Sequence, residues 1–134
     1  MSLEFKIYFS NEDEKKIAEL LPKSFKKISD CEYEDENSMV IQAELDEEDL
    51  EWLIPLLGIE SFNDVISLST GSRSDLTAVI NSVVTILGRV LEKSKLDVAL
   101  LVNNTDTIFR RRDNTVSLLD EEFWSEERRG LIMR

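Results

Sequence analysis

The chain contains no histidine. That removes the commonest general base and metal ligand, and with it every Ser-His or Cys-His pair that could activate a nucleophile. Its one cysteine, Cys31, forms no internal disulfide, so nothing marks an oxidising compartment. Asp30 and Glu32 flank that thiol and disfavour the thiolate, which makes it a poor nucleophile. Two prolines and four glycines leave little material for long linkers, and one folded unit spanning 1–134 is expected. No apolar run approaches the roughly 18 residues that cross a bilayer. Leu3 to Phe9 alternates apolar and charged residues, unlike the basic, apolar, small order of a secretory leader. These absences predict a soluble, cytoplasmic binding protein, not an enzyme, with no cofactor and no membrane contact.

What is present is negative charge. The net charge is −12, from 28 Asp/Glu against 16 Lys/Arg. Residues 1–60 hold 17 of those carboxylates and only 6 basic residues, whereas residues 61–134 are nearly balanced. Between Asp30 and Glu51 stand eleven carboxylates and no basic residue. Such a field repels phosphate backbones, so nucleic acid is not an expected partner; a basic protein is. The alternative reading is that the charge only keeps the protein soluble.

Hydrophobic spacing outlines the elements. Leu3, Phe5, Ile7 and Phe9 alternate as in a half-buried strand. Asn11 and Glu14 have capping-box spacing ahead of Ile17, Leu20 and Leu21, predicting a helix that Pro22 ends. Lys23 to Ile28 is basic with Phe25 and Ile28 interleaved, and Cys31–Ser38 reads as an exposed acidic loop. Met39, Ile41, Ala43 and Leu45 alternate again, predicting a strand over Ser38–Leu45. Asp46 caps a second helix bearing Leu50, Leu53, Ile54 and Leu57, with Pro55 inside it and acidic residues at the positive end of its dipole. Phe62–Thr70 reads as a strand. Ser72 and Asp75 have capping-box spacing before the clearest helix, in which Leu76, Ile80, Val83, Leu87 and Val90 recur at intervals of 4, 3, 4 and 3. Asp97–Val102, Thr107–Arg112 and Thr115–Leu119, separated by Asn/Asp turns, predict a β-meander. Asp120 then caps a terminal segment whose Phe123 and Trp124 are expected to pack back on the sheet. The expected class is α+β: a mixed or mostly antiparallel sheet of about six strands, packed against a long central helix and two to three shorter ones.

Candidate chemistry is sparse. Asp46, Glu47, Glu48 and Asp49 are consecutive, so on a helix they point in different directions and do not converge on one metal ion. Gly71, Ser72, Arg73 and Ser74 follow a strand and open a helix, an arrangement that can present backbone N–H groups to an anion, although an ordinary capped turn has the same pattern. Arg110 and Arg112 share one strand face and Arg111 the other. They can meet the acidic half, form a partner hot spot, or protect an edge strand.

The run Asp97-Val98-Ala99-Leu100-Leu101-Val102-Asn103, then Phe109-Arg110-Arg111, Val116-Ser117-Leu118 and Phe123-Trp124, resembles the immunity proteins of bacterial swarming-inhibition toxin systems. That family carries a D-x-A-L-L-x-N strand, an arginine-bearing strand, a third strand and a terminal Phe-Trp. Here Asp113-Asn114 occupy the hairpin where the family usually has glycine. The resemblance lies mainly over residues 97–124. It implies a cytoplasmic protein that neutralises a cognate toxin by surface complementarity, with no catalytic residues to carry over. The acidic stretch supplies the expected contact residues: Asp30, Glu32, Tyr33, Glu34, Asp35, Glu36, Asp46, Glu47, Glu48, Asp49 and Trp52, with Tyr33 or Trp52 as an aromatic anchor. Two alternatives stay open: a scaffold or adaptor acting through a homo-oligomeric interface, and a small anion-binding or enzymatic domain using the 71–74 loop.

Overall fold

A computed structural model describes residues 3–10, 19–57, 62–70, 75–94, 97–103, 106–112 and 114–132. The helix expected from Asn11 falls mainly on 11–18, and the 71–74 loop on 71–74, both outside the described residues. Among these residues eight strands form one sheet: β1 (Glu4–Phe9), β2 (Lys26–Lys27), β3 (Glu32–Glu34), β4 (Ser38–Glu44), β5 (Asp64–Thr70), β6 (Val98–Val102), β7 (Asp106–Arg112) and β8 (Thr115–Leu118). Among the described residues three helices accompany them: α1 (Glu47–Leu57), α2 (Leu76–Lys93) and α3 (Glu126–Ile132). The sheet order is β2-β3-β4-β5-β1-β6-β7-β8, with every neighbouring pair antiparallel.

The α+β class holds, while the strand count rises from about six to eight. Both added strands lie where an exposed acidic loop and a short basic segment were expected. Glu32–Glu34 pairs with Met39–Ile41 of β4, and Lys26–Lys27 pairs with β3. The 31–38 stretch is therefore half of a hairpin. Its turn is closed by Asp35, whose Oδ1 accepts from Asn37 N at 2.8 Å and Ser38 N at 2.9 Å.

β1 lies inside the sheet, between β5 and β6, with one face wholly apolar and Tyr8 as the apolar residue of the other. Phe5, Ile7 and Phe9 enter the main core; Tyr8 faces the other way and is also buried. Its neighbour β6 is likewise buried from Val98 to Leu101, as suits an inner strand covered on both sides. α2 carries the chain from β5 across β1 to β6 and covers one face with Val79, Ile80, Val83, Val84, Ile86, Leu87 and Val90. Full burial of a side chain such as Leu87 is worth about 2 kcal/mol. The cap of α2 is Asp75, which accepts from Thr77 N at 3.1 Å and Ala78 N at 3.3 Å, rather than Ser72.

At the other end of α2, Arg111 donates to Leu91 O at 3.2 Å and to Ser94 O, placing its positive charge at the negative end of the helix dipole. Burial pulls the Arg111 guanidinium below its ordinary pKa, and the Asp97 charge opposes that shift. Because β8 is the outermost strand on this side, β7 is internal, and its arginines do not guard a sheet edge. Phe123 and Trp124 do pack back on the sheet: the Trp124 indole N–H donates to Ile108 O at 2.6 Å, and Phe123 lies 4.9 Å from the Trp124 ring. α3 follows, packed against α2.

Candidate partner-binding face

The two faces of the sheet are covered unequally. α2 and α3 lie on the main core side. On the opposite side α1 buries a smaller cluster of Tyr8, Leu53, Phe62, Val65, Ala99 and Leu101. Facing residues of antiparallel strands share a side, so the pairings identify what α1 leaves open. One row runs Glu34–Met39–Ser69–Glu4 and the next Glu32–Ile41–Ser67–Lys6, across β3, β4, β5 and β1. None of these eight residues is buried.

Met39 is 41% and Ile41 36% exposed, whereas Val40 between them is 0% exposed and belongs to the main core. Ala43, the next outward position on β4, is also exposed. The alternating apolar residues of this strand therefore face out, and Val40 carries the inward packing. A short apolar ridge results, with Glu32 and Glu34 along its β3 flank. On the other flank Lys6 pairs with Glu4 at 3.5 Å.

α1 borders this open area. Asp46 and Asp49 cap its start reciprocally: Asp49 N donates to Asp46 Oδ1 at 2.8 Å and Asp46 N to Asp49 Oδ2 at 3.2 Å. Trp52 is 38% exposed and stands edge-on to Tyr8, with ring centroids 6.2 Å apart. Tyr8 adjoins Lys6 on the same face of β1. Burial raises the Tyr8 phenol above its ordinary pKa, and the charges of Asp49 and then Glu4 add to the shift. Tyr8 thus links the acidic start of α1 to the open rows.

The expected contact residues divide accordingly. Glu32, Glu34 and Trp52 lie on the side of the sheet that carries α1. Glu47 and Glu48 are exposed in the first turn of α1, and Glu36 is exposed at the β3–β4 turn. Tyr33 faces the other way, opposite Val40, and packs partly buried against the main core. Asp35, Asp46 and Asp49 are engaged in the turn and helix cap. Asp30 pairs with Lys27 at 3.0 Å, a contact that raises the Lys27 pKa. Over residues 19–57 the field is nevertheless strongly negative, with twelve carboxylates against Lys23, Lys26 and Lys27.

The sequence reading missed Met39 and Ile41 as surface residues. The available signal was the unbroken Met39-Val40-Ile41, which makes both faces of the strand apolar. Among the described residues no group of three or more Asp, Glu or Cys side chains is placed to hold a metal ion. No described helix is long and apolar enough to cross a membrane. Compared with protein-family models, with curated proteins and with solved structures, the chain matches none.

Proposed function

We propose that this protein works by binding, and that it engages a basic protein partner through the open sheet face beside α1, as a cytoplasmic inhibitor of the bacterial immunity type. The observation that carries this reading is the exposed ridge of Met39 and Ile41 flanked by Glu32 and Glu34, with Trp52 on the adjoining helix. Interfaces of this kind combine an apolar anchor, which supplies affinity, with a charged rim, which supplies association rate and selectivity. The resemblance over residues 97–124 speaks to the frame. Ala99, Leu100 and Leu101 are core, Arg111 closes α2 and Trp124 fastens the C-terminal segment, so the partner must be read from the face.

The test is capture from a lysate of the source organism on the immobilised chain, eluted along a salt gradient. A parallel column carries the Glu32→Gln/Glu34→Gln/Ile41→Ser variant. The expected result is one stoichiometric basic protein, retained by the wild type and lost by the variant, whose toxicity on expression is relieved by co-expressing this chain. A stable homo-oligomer with no salt-eluted partner would favour the scaffold reading instead.

A further inference from the structure

We infer that the partner inserts a single amphipathic helix along β4, its apolar stripe on Met39, Ile41 and Ala43 and its Lys/Arg flank toward β3. The inference rests on the reading of this face as the binding surface and goes on to specify the ligand.

The backbone decides between a helix and an extended segment. β4 is hydrogen-bonded on both sides, to β3 and to β5, so its face offers side chains but no free ladder groups. An extended segment laid on it would bring its own N–H and C=O groups into apolar contact unsatisfied, whereas a helix satisfies them internally.

Spacing agrees. Outward positions along β4 recur about every 6.8 Å, close to the roughly 6 Å rise between residues i and i+4 of a helix. From β3 to β1 spans three strand spacings, about 14 Å, room for one helix of about 10–12 Å diameter. α1 already rests on the neighbouring part of the same face, with Leu53 in one cluster with Tyr8, Val65, Ala99 and Leu101.

The charges orient the occupant. Glu32 and Glu34 line the β3 flank, with Lys26 opposite Glu34 on β2. The other flank offers Ser67, Ser69 and the Glu4–Lys6 pair. Cations therefore belong on the β3 side, and uncharged polar residues on the β5 side.

The probe is a fluorescein-labelled peptide of about 18 Leu and Lys residues in helical amphipathic order, about five turns. Its comparator has the same composition in strict alternation, which favours a strand. Anisotropy titrations use the full chain, the Met39→Ser/Ile41→Ser and Glu32→Gln/Glu34→Gln pairs, and a distant control, Glu121→Gln/Glu122→Gln. The substituted positions are not buried, and unchanged circular dichroism verifies that each variant folds. The expected result is tighter binding of the helical peptide, weakened about tenfold by either pair on the face, as for loss of an interface anchor, and unchanged in the control. Preferential binding of the alternating peptide at the same face would overturn the helix and leave the face standing. Binding insensitive to both pairs on the face would overturn both readings.

Discussion

Val40 and Ile41 are consecutive residues of β4 on opposite sides of the sheet, and truncating each should have very different consequences. Val40 is 0% exposed, between Tyr33 of β3 and Leu68 of β5. Val40→Ala deletes two methyl groups at about 0.8 kcal/mol each, and a cavity contribution brings the expected loss to about 2–3 kcal/mol. Unfolding a chain of 134 residues carries an entropy of about 0.28 kcal/mol/K near its melting temperature. The Val40→Ala loss therefore corresponds to a fall of about 7–11 °C in Tm. Ile41→Thr keeps the branched shape suited to a strand and changes only a partly exposed side chain, so its expected effect is within about 0.5 kcal/mol. Urea denaturation followed by circular dichroism reads both, with an unchanged m-value showing that each variant unfolds the same structure. If Ile41→Thr proved as costly as Val40→Ala, the register of β4 would be wrong by one residue. The exposed ridge would then be core.

Arg111→Met should cost about 1–3 kcal/mol, because the Leu91 and Ser94 carbonyls lose a charged donor. Arg110→Met, on the opposite face of β7, should stay within about 0.5 kcal/mol; equal losses in urea titrations would contradict the placement of Arg111. Trp124→Phe should cost about 1–3 kcal/mol, since it leaves the buried Ile108 carbonyl without its indole donor. A Tm equal to the wild type's would remove that bond from the account. The Tyr8 phenol has a raised pKa in the folded state, so its contribution to stability is complete below the unfolded value and fades as pH rises through the folded one. Stability should therefore decline above about pH 10, and Tyr8→Phe should lessen that decline. Identical alkaline slopes in the two proteins' urea midpoints would show that Tyr8 is not buried in this way.

Strong periodicity made most of the frame legible. The 4-3-4-3 recurrence placed α2, the alternation of Phe5, Ile7 and Phe9 placed β1, and the Asn/Asp turns separated β6, β7 and β8. β2 and β3 were illegible because Lys26–Lys27 and Glu32-Tyr33-Glu34 have almost no apolar pattern of their own. β3 is a strand because β4 offers it a ladder, and β2 because β3 does, which is a tertiary cause. The start of α2 was ambiguous, since Ser72 and Asp75 are both good caps three residues apart and only geometry selects Asp75.

Within the candidate site the charge was legible and its division was not. Short carboxylates such as Asp35, Asp46 and Asp49 serve turns and caps as readily as they serve a field. Alternation gives a strand its period without saying which side is inward. The pairing of Val40 with Tyr33 and Leu68 decides that, and it turns Met39 and Ile41 out while drawing Tyr33 in.

Cys31 allows the most direct test of the acidic face. It is free, exposed and adjacent to Glu32 of β3. A benzophenone maleimide on its thiol, irradiated in lysate from the source organism, should cross-link one basic protein at low salt. The Met39→Ser/Ile41→Ser variant and high salt should each abolish that product. A cross-link unaffected by either change, or one only to a second copy of this chain, would contradict the binding of a basic partner at this face.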